Sequence, residues 1–301
     1  MLSTSATKSR FSQRKFNKKE VDLYLFKRGE KLFRKSFLKW AGGKSLVLPI
    51  LKTLLPSGKR LIEPFCGSAV VSLNLNYDSY VLADINADLI ELFTYLKKDG
   101  LKFVKYCKQF FSSNYNQKDV FLELKNVFNT TGDAKLKSAL FLYLNKHCFN
   151  GLCRYNSSGE FNVSFGKYVK PYFPEKEMLF FSTFLKQTVL KKTNFLTTMK
   201  QAKSGDVVYC DPPYLPLSKT ANFVGYGSKG FCLDQHLELV EMARFLQKKG
   251  IFVAISNHYS KEIEKIYLKA TIHKFKVQRH ISCNGNGRKK VEELIAIYGK
   301  N

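Results

Sequence analysis

The sequence lacks several features that would narrow its class at once. No apolar run approaches the roughly 18–20 residues of a membrane-spanning helix, because Asn145 and Lys146 interrupt the longest one, ALFLYLNKHCF. The chain has seven cysteines, an odd number, and no CxxC pair. This pattern argues against a disulfide framework and a zinc site and favours a reducing compartment. We therefore expect no membrane segment, no bound metal and a cytoplasmic location.

Acidic residues are also scarce. The chain has 24 Asp and Glu against 50 Lys and Arg, which gives a net charge of +26. Such an excess favours binding to polyanions, above all nucleic acids, although an AT-rich genome would also encode many lysines. Residues 1–35 hold eleven basic and three acidic residues, and we expect them to form a disordered basic arm. A transit peptide and translated upstream sequence are the alternatives for this segment.

A complete phosphate-binding loop is missing too. Gly43, Lys44 and Ser45 look like the end of such a loop, but the glycine required five residues earlier is replaced by Leu38. No convincing strand leads into this stretch. The glycine turn EPFCGS, further along, does not carry the G-x-G-x-x-G of a dinucleotide site. These departures argue against a P-loop ATPase and against an NAD-dependent enzyme.

An alternation of strands and helices begins near Leu61. The predicted strands are RLIEPF, YVLADI, DVVYC and IFVAIS, and the tail predicts two more around an Asn/Gly turn. CGSAVVSLNL predicts a turn opening into a helix, and LDQHLELVEMARFLQKKG predicts an amphipathic helix that stops at its glycine. The pattern predicts an α/β fold whose Rossmann-like sheet is mainly parallel and closes with an antiparallel hairpin.

One stretch does not follow this alternation. Residues 87–174 predict helices, ADLIELFTYLKKDG and AKLKSALFLYLNKH, followed by a Gly/Asn-rich run with aromatics. We interpret this stretch as a mainly helical domain inserted between the second and third strands. The sheet domain is then made of residues 36–86 and 175–301, and residues 1–35 stay outside both.

Two polar signals stand at predicted strand ends, where ligands bind in doubly wound sheets. Gly67 follows the first strand and would let a ligand approach the backbone, and Asp84 ends the second strand, 17 residues later. A carboxylate there can accept both hydroxyls of a ribose, which indicates a nucleoside-containing cofactor. A strand-end or helix-capping role for Asp84 is the alternative.

The most specific signal is VVYCDPPY. Asp211 follows an apolar strand, and the two prolines fix the backbone while leaving their carbonyls as acceptors. The Asp211 carboxylate and the Pro212 carbonyl could hold both hydrogens of a base amino group and stabilise positive charge during methyl transfer. Tyr214 could stack on a base that has left the duplex. The alternative is a Pro-Pro turn that merely follows a buried strand.

Together with other segments, this motif resembles the DNA adenine methylase (Dam) family over about residues 37–298. The segments are FLKWAGGK, EPFCGSAVVSLN, LADINADLI, residues 141–171, VVYCDPPYLPLSKTANF, and ISNH with RHISCNGNGRKKVEEL. Their order is that of the alpha group of amino-methyltransferases. The resemblance implies a Rossmann-like methyltransferase sheet with an inserted target-recognition domain that carries a β-hairpin at about residues 148–169. It also implies S-adenosylmethionine as cofactor, the N6 of adenine in double-stranded DNA as acceptor, and GATC as target.

The resemblance also assigns roles to individual residues. It makes Asp211, Pro212 and Tyr214 catalytic. The cofactor-binding residues it implies are Trp40, Lys44, Asp84 and Asp211. The DNA-binding residues it implies are Lys39, Phe149, Leu152, Arg154 and Tyr168. Arg and Lys can donate to guanine, Leu can meet a thymine methyl, and an aromatic can fill a gap in the base stack. Two departures from the family pattern are Ala69, where a second glycine is common, and Ser164, where the family has proline.

Several alternatives share parts of this pattern. A restriction-modification adenine-N6 methyltransferase with another target has the same catalytic residues, and a non-catalytic DNA-binding protein would share only the charge. A cytosine-N4 enzyme more often has Ser where Asp211 stands, and a cytosine-C5 enzyme needs a Pro-Cys nucleophile that is absent here. We expect a monomer in the bacterial nucleoid or in a phage-infected cell. Mismatch repair, replication control and protection from restriction remain open as cellular roles.

Overall fold

The computed structural model of the chain describes residues 25–28, 31–215, 231–278 and 290–299. Two short strands, β1 (Leu25–Arg28) and β2 (Lys31–Arg34), pair antiparallel near the start. The arm predicted over residues 1–35 therefore includes a hairpin, and Phe33 is buried in the core. The rest of that arm, the segment after DPPY that begins at residue 216, and the predicted Asn/Gly turn lie outside the described residues.

A seven-stranded sheet forms the centre of the described part of the chain. Its spatial order is β5-β4-β3-β6-β7-β9-β8. Strand β9 runs in the direction opposite to that of the other six strands. The predicted mainly parallel α/β sheet with a closing antiparallel hairpin is thereby confirmed. The strands are β3 (Arg60–Glu63), β4 (Ser79–Asp84), β5 (Thr188–Lys192), β6 (Asp206–Cys210), β7 (Phe252–His258), β8 (Thr271–Gln278) and β9 (Lys290–Tyr298).

Helices cover both faces of this sheet. No helix within the described ranges is long and apolar enough to cross a membrane. The helices are α1 (Leu48–Leu54), α2 (Ala87–Asp99), α3 (Leu101–Lys108), α4 (Lys118–Thr130), α5 (Ala134–His147), α6 (Glu175–Phe184), α7 (Phe195–Met199), α8 (Leu233–Lys248) and α9 (Lys261–Ile266). The predicted helices that correspond to α2, α5 and α8 are confirmed.

Two local predictions differ from the structure. The helix expected after Gly67 is wrong, because the chain adopts left-handed φ angles at Gly67 (+45°) and Ala69 (+55°) and then makes only one 3-10 turn, Ser72–Asn74. Strand β5 was not expected from the sequence. It is a short edge strand that ends in two lysines, and charged residues of this kind protect exposed sheet edges.

The strands alternate between two apolar cores, as the pleat requires. In β6, Val207 and Tyr209 enter one core while Val208 and Cys210 enter the other. The first core runs on without a break through helices α2 to α6, whereas α7, α8 and α9 cover the second. The inserted stretch therefore shares a core with one face of the sheet. Its proposed boundaries at residues 87 and 174 stay predictions.

The strand order places a crevice at the centre of the sheet. The chain passes from β3 outward through β4 to β5 and then returns to the other side of β3 as β6. Ligands of open α/β sheets bind where the strand order reverses, outside the carboxyl ends of the strands. The segments that follow β3 and β6 are the glycine turn and DPPY, so the two strongest sequence signals meet at this crevice.

Candidate active site

The glycine turn after β3 is tied to the end of β4. The Gly67 N–H donates to Asp84 Oδ2 at 3.1 Å, and the Asn86 N–H donates to Asp84 Oδ1 at 2.9 Å. Burial raises the pKa of the Asp84 carboxyl above its ordinary value, and these N–H donors oppose the rise. Each carboxylate oxygen keeps further acceptor capacity. The predicted cofactor carboxylate therefore lies beside the predicted glycine turn.

Trp40 packs directly on this turn. A Cβ built on Gly67 would lie 2.5 Å from Trp40 Nε1 and 2.9 Å from its Cδ1, so only glycine leaves room for the indole. Ile85, which follows Asp84, is 66% exposed. An exposed branched side chain at the end of a sheet strand offers an apolar surface beside the carboxylate. Sequence reasoning missed Ile85, because one apolar residue after a strand gives no periodic signal.

Lys44 connects this region to the DPPY segment. Its Nζ lies 2.8 Å from Asp211 Oδ2 and also donates to the Gly42 carbonyl at 2.9 Å. The Lys44 side chain is 6% exposed, so little water competes for its ammonium group. Lys44 begins a single 3-10 turn, Lys44–Leu46, and its ammonium group contacts a carboxylate of the protein. Lys44, which resembles the lysine of a phosphate-binding loop, is thus part of the DPPY site.

Asp211 is held by one oxygen only. Among the described residues, its Oδ1 atom is buried without a hydrogen-bond partner. Burial raises the pKa of the Asp211 carboxyl, and the adjacent Lys44 ammonium opposes that rise. An unsatisfied buried acceptor is costly. Its presence at the mouth of a crevice indicates a site built for a hydrogen-bond donor from a ligand.

The rest of the DPPY segment follows Asp211 directly in the sequence. Pro212 is buried, and the Tyr214 ring lies 4.9 Å from Lys44 Nζ. The Tyr214 hydroxyl donates to Glu293 Oε2 at 3.4 Å, and its ring centroid is 5.7 Å from that of His258. The three residues predicted to be catalytic therefore lie within one four-residue segment, and its tyrosine contacts β7 and β9.

Two buried titratable side chains near this site were missed by sequence reasoning. Glu63, at the end of β3, accepts hydrogen bonds from the backbone and hydroxyl of Ser72. Burial raises its pKa to about 7, and the charge of Asp211 adds to the rise. His236, from α8, contacts the Pro213 carbonyl through Nε2 at 3.2 Å. Glu63 stands in the EPFCGS segment, but only the fold shows its contact with Ser72, and His236 stands in no motif.

A second cluster joins Lys39 to the inserted stretch. The Lys39 Nζ lies 3.9 Å from the centre of the Tyr168 ring, and a Cβ built on Gly151 would overlap the Lys39 side chain. The buried Asn145 amide accepts from the Lys39 N–H and donates to the Lys39 and Gly151 carbonyls. Lys39 and Tyr168, both predicted to bind DNA, are therefore brought into contact.

The remaining predicted DNA-binding residues lie on the loop between residues 148 and 169. The expected hairpin is present only as two isolated antiparallel bridges, Cys148 with Phe165 and Tyr155 with Phe161. Phe149 is 54% exposed, Leu152 is partly buried, and Arg154 is exposed. The Arg154 Nε donates to Asn162 Oδ1 at 2.8 Å across the loop, so its position is fixed by a side-chain contact.

The described residues contain no cluster of three or more His, Cys, Asp or Glu side chains that could hold a metal ion. The charged groups at the crevice are instead Lys44, Asp84 and Asp211, with Glu63 buried behind them.

We predict a pH-dependent difference between the wild type and His236→Gln. Burial lowers the pKa of His236 to about 4, whereas the unfolded histidine titrates near its ordinary value of 6.5. As pH falls from 6.5 toward 4, His236 becomes protonated in the unfolded state but stays neutral in the folded state. His236 should then lower the free energy of unfolding by up to ~1.4 kcal/mol per pH unit.

Glutamine keeps a donor for Pro213 but does not titrate. Urea unfolding of both proteins between pH 7.5 and pH 4 isolates this group, because every other titration is common to both. The stability advantage of the wild type should shrink as pH falls. A difference that stays constant over that range would contradict the assignment.

Comparisons with known proteins agree with this geometry. The model of the D12 class N6 adenine-specific DNA methyltransferase family matches residues 40–281. The DNA adenine methylase of Vibrio cholerae serotype O1 is 43% identical over 266 residues, covering 88% of this chain and 96% of that protein. Those of Salmonella typhi and Escherichia coli K12 are 45% and 44% identical over 264 residues, each covering 88% of this chain and 95% of the relative.

A solved structure, precorrin 8W decarboxylase from Methanobacterium thermoautotrophicum, matches 87% of this chain and 94% of that one. Its TM-score of 0.37 and identity of 11% are too low to support a conclusion. The family match covers most of the sequence and includes both the glycine turn and DPPY. The chain therefore belongs to the family of D12 class N6 adenine-specific DNA methyltransferases.

Proposed function

We propose that this adenine-specific DNA methyltransferase takes its methyl group from S-adenosylmethionine, flips the target adenine out of double-stranded DNA, and methylates its N6 within GATC. The observation that carries the proposal is the state of Asp211. One carboxylate oxygen is fixed by Lys44, and the other is buried without a partner among the described residues. That free acceptor matches an incoming amino group, which carries two N–H donors.

The acceptors that follow β6 suit the adenine amino group. Asp211 Oδ1 and the Pro212 carbonyl would accept its two hydrogens, which aims the nitrogen lone pair and favours tetrahedral geometry. When the nitrogen lone pair bonded to the methyl carbon, the carbon–sulfur bond would break with its electron pair on sulfur, and the nitrogen would carry positive charge until it lost a proton to water. A fixed carboxylate stabilises that charge strongly in a site with little water. Lys44 prevents rotation of the carboxylate, while the anchored Tyr214 ring would stack on the base. The base must leave the duplex to reach these groups.

The crevice residues fit S-adenosylmethionine. Trp40, Lys44, Asp84 and Asp211 would hold this cofactor, which supplies an activated methyl group on a sulfonium sulfur. The Asp84 carboxylate suits ribose hydroxyls, and the Gly67 turn, which has no side chain, is packed against the Trp40 indole. The exposed Ile85 beside Asp84 would give the purine an apolar contact. Because Lys44 contacts Asp211, a residue assigned to the cofactor is in direct contact with the residue assigned to the adenine amino group.

The second cluster suits the DNA. Lys39 and Arg154 provide donors for guanine, and the exposed Phe149 would enter the space left by the flipped base. Leu152 and Tyr168 would contact neighbouring bases. The support for these roles is local: Lys39 is fixed by Asn145 and Tyr168, and Arg154 by Asn162. Phosphate contacts would use the wider positive charge of the chain.

The proposal of GATC as the target is based on these residues and on the resemblance of their motifs to those of the family. A restriction-modification enzyme with another target is the alternative, since it would share Asp211 and its neighbours. The bacterial relatives support action on DNA in the cytoplasm of a bacterium. Action as a monomer stays a prediction.

Digestion of cellular DNA tests the proposed target. Plasmid and chromosomal DNA from cells that lack GATC methylation but express this chain should resist an enzyme that cuts only unmethylated GATC. The same DNA should be cut by an enzyme that requires methylated GATC. Complete cutting by the first enzyme, with N6-methyladenine mapped elsewhere, would instead establish a different target.

Asp211→Asn should lower the methylation rate by about 10²–10³-fold or more, because one acceptor becomes a donor and the charge is lost. Affinity for a GATC duplex should change less than about threefold. Asp206→Asn is the matched control, since Asp206 lies at the opposite end of β6 and pairs with Arg60 at 2.6 Å. Single-turnover methylation and duplex binding of both variants provide the measurement. Equal rates for the two variants would contradict the proposed mechanism.

Gly67→Ala should weaken S-adenosylmethionine binding at least tenfold, because the new methyl must displace Trp40 and strain the left-handed turn. Gly250→Ala is the control, since Gly250 also has a positive φ (+73°) but nothing within 4 Å of a Cβ. Strain alone costs roughly 1–2 kcal/mol of stability at either position. Isothermal titration calorimetry with S-adenosylmethionine separates the loss of affinity expected for Gly67→Ala from the strain that both variants share. Equal affinities would show that the turn does not form part of the cofactor site.

A further inference from the structure

The segment that follows Asp84 contacts two regions at once. The Asn86 backbone donates to Asp84 Oδ1 at 2.9 Å, and its side chain caps α2 by accepting the Leu89 N–H at 3.0 Å. Asp88 lies in the first turn of α2. The proposed ribose-binding carboxylate and the start of α2 are therefore one hydrogen-bonded unit.

The base-reading loop is attached to this same unit at two points. The Asn86 amide donates to Cys153 Sγ at 3.5 Å, and the Tyr155 hydroxyl donates to Asp88 Oδ2 at 2.6 Å. Burial raises the pKa of the Cys153 thiol to about 12, so this sulfur is a neutral acceptor. A hydrogen bond from a phenol to a carboxylate is among the stronger kinds in proteins.

Arg154 lies between these two attachments. Cys153 is buried, Arg154 is exposed and Tyr155 is partly buried, which is the alternation of an extended strand. The Tyr155 ring packs edge-on against Phe161 at 6.0 Å, and the Phe161 N–H is held by Asn129 Oδ1 at 2.8 Å. The backbone around Arg154 is thus fixed on both sides, and its guanidinium extends from a short rigid span.

We infer that Tyr155 is a positioning residue that couples the cofactor site to base reading by Arg154. The inference rests on the proposed function, because it uses the roles given there to Asp84 and Arg154. Any adjustment of Asp84 on binding the cofactor is transmitted through Asn86 and Asp88 to the residues on either side of Arg154. Since coupling between two binding equilibria is reciprocal, cognate DNA strengthens cofactor binding by the same factor.

Tyr155→Phe tests this role, because it keeps the ring on Phe161 and removes only the hydroxyl. The probes are sinefungin, a non-reacting analogue of S-adenosylmethionine, a GATC duplex, and duplexes with one base pair of the site changed. Dissociation constants of each duplex with and without saturating sinefungin give the coupling factor. Wild type should show tighter cognate binding with sinefungin, and the variant should lose this coupling at least fivefold.

The variant should keep each affinity for a single ligand within about threefold. Tyr77→Phe is the matched control, because it removes a phenol hydrogen bond to the Pro56 carbonyl, 2.7 Å long, outside the site. It should leave the coupling factor unchanged. Asp88→Asn is a second variant that should reduce the same coupling, and combining it with Tyr155→Phe should bring little further loss.

Three outcomes would overturn the inference: no coupling in the wild type, unchanged coupling in Tyr155→Phe, or a loss shared equally by Tyr77→Phe. Failure of the proposed function looks different, since the wild type would then not methylate adenine in any duplex. If Tyr155→Phe lowers the thermal midpoint, the measurement is made well below that midpoint, where both proteins are folded. Reduced discrimination between the cognate and changed duplexes in the presence of sinefungin then shows that base reading depends on the Tyr155 hydroxyl.

Discussion

The ion pair between Lys44 and Asp211 is the contact on which the rest of the site depends. It joins a segment near the start of the chain to the strand at the centre of the sheet, across more than half of the sequence. The Lys44 side chain is 6% exposed and that of Asp211 is 21% exposed, so breaking the pair would leave a buried ammonium group without its counter-charge, which is costly. It also fixes which carboxylate oxygen stays available, so the geometry of DPPY depends on a residue far from that motif.

The segment from Lys39 to Lys44 has a second consequence for the architecture. At one end Lys39 is held by Asn145 of the inserted helices, and at the other end Lys44 is held by Asp211 of the sheet. Trp40 lies between them on the Gly67 turn. The short stretch therefore sets the distance between the proposed base-reading loop and the proposed methylation site. Gly42, whose φ angle is +76°, allows the sharp change of direction within this segment.

The sequence predicted the parts of this structure whose signals are periodic or local. Strands β3, β4, β6 and β7 are apolar runs, and Asp84 and DPPY stand at their ends, so the sheet edge and its polar groups could be located in advance. The Lys44–Asp211 pair, Glu63 and His236 could not, because their partners are brought together only by the fold. Strand β5 was not predicted, because an edge strand with two lysines lacks the apolar pattern of a buried strand. The helix expected after Gly67 failed because backbone conformation at Ala69, which composition does not reveal, turned the chain.

The core shared by the inserted helices and one face of the sheet limits how target preference can change. A recognition domain with its own core could be exchanged for another as a cassette. Here Phe93 and Phe141 of the inserted helices pack into the same apolar mass as Leu61 and Ile295 of the sheet, so exchange would leave mismatched surfaces inside the protein. On the loop between residues 148 and 169, Phe149 and Arg154 are exposed, whereas Leu152 packs against that mass. Under the proposed function, new sequence preferences should therefore arise by point substitution at the exposed positions of this loop, while the helices beneath it are constrained by the sheet.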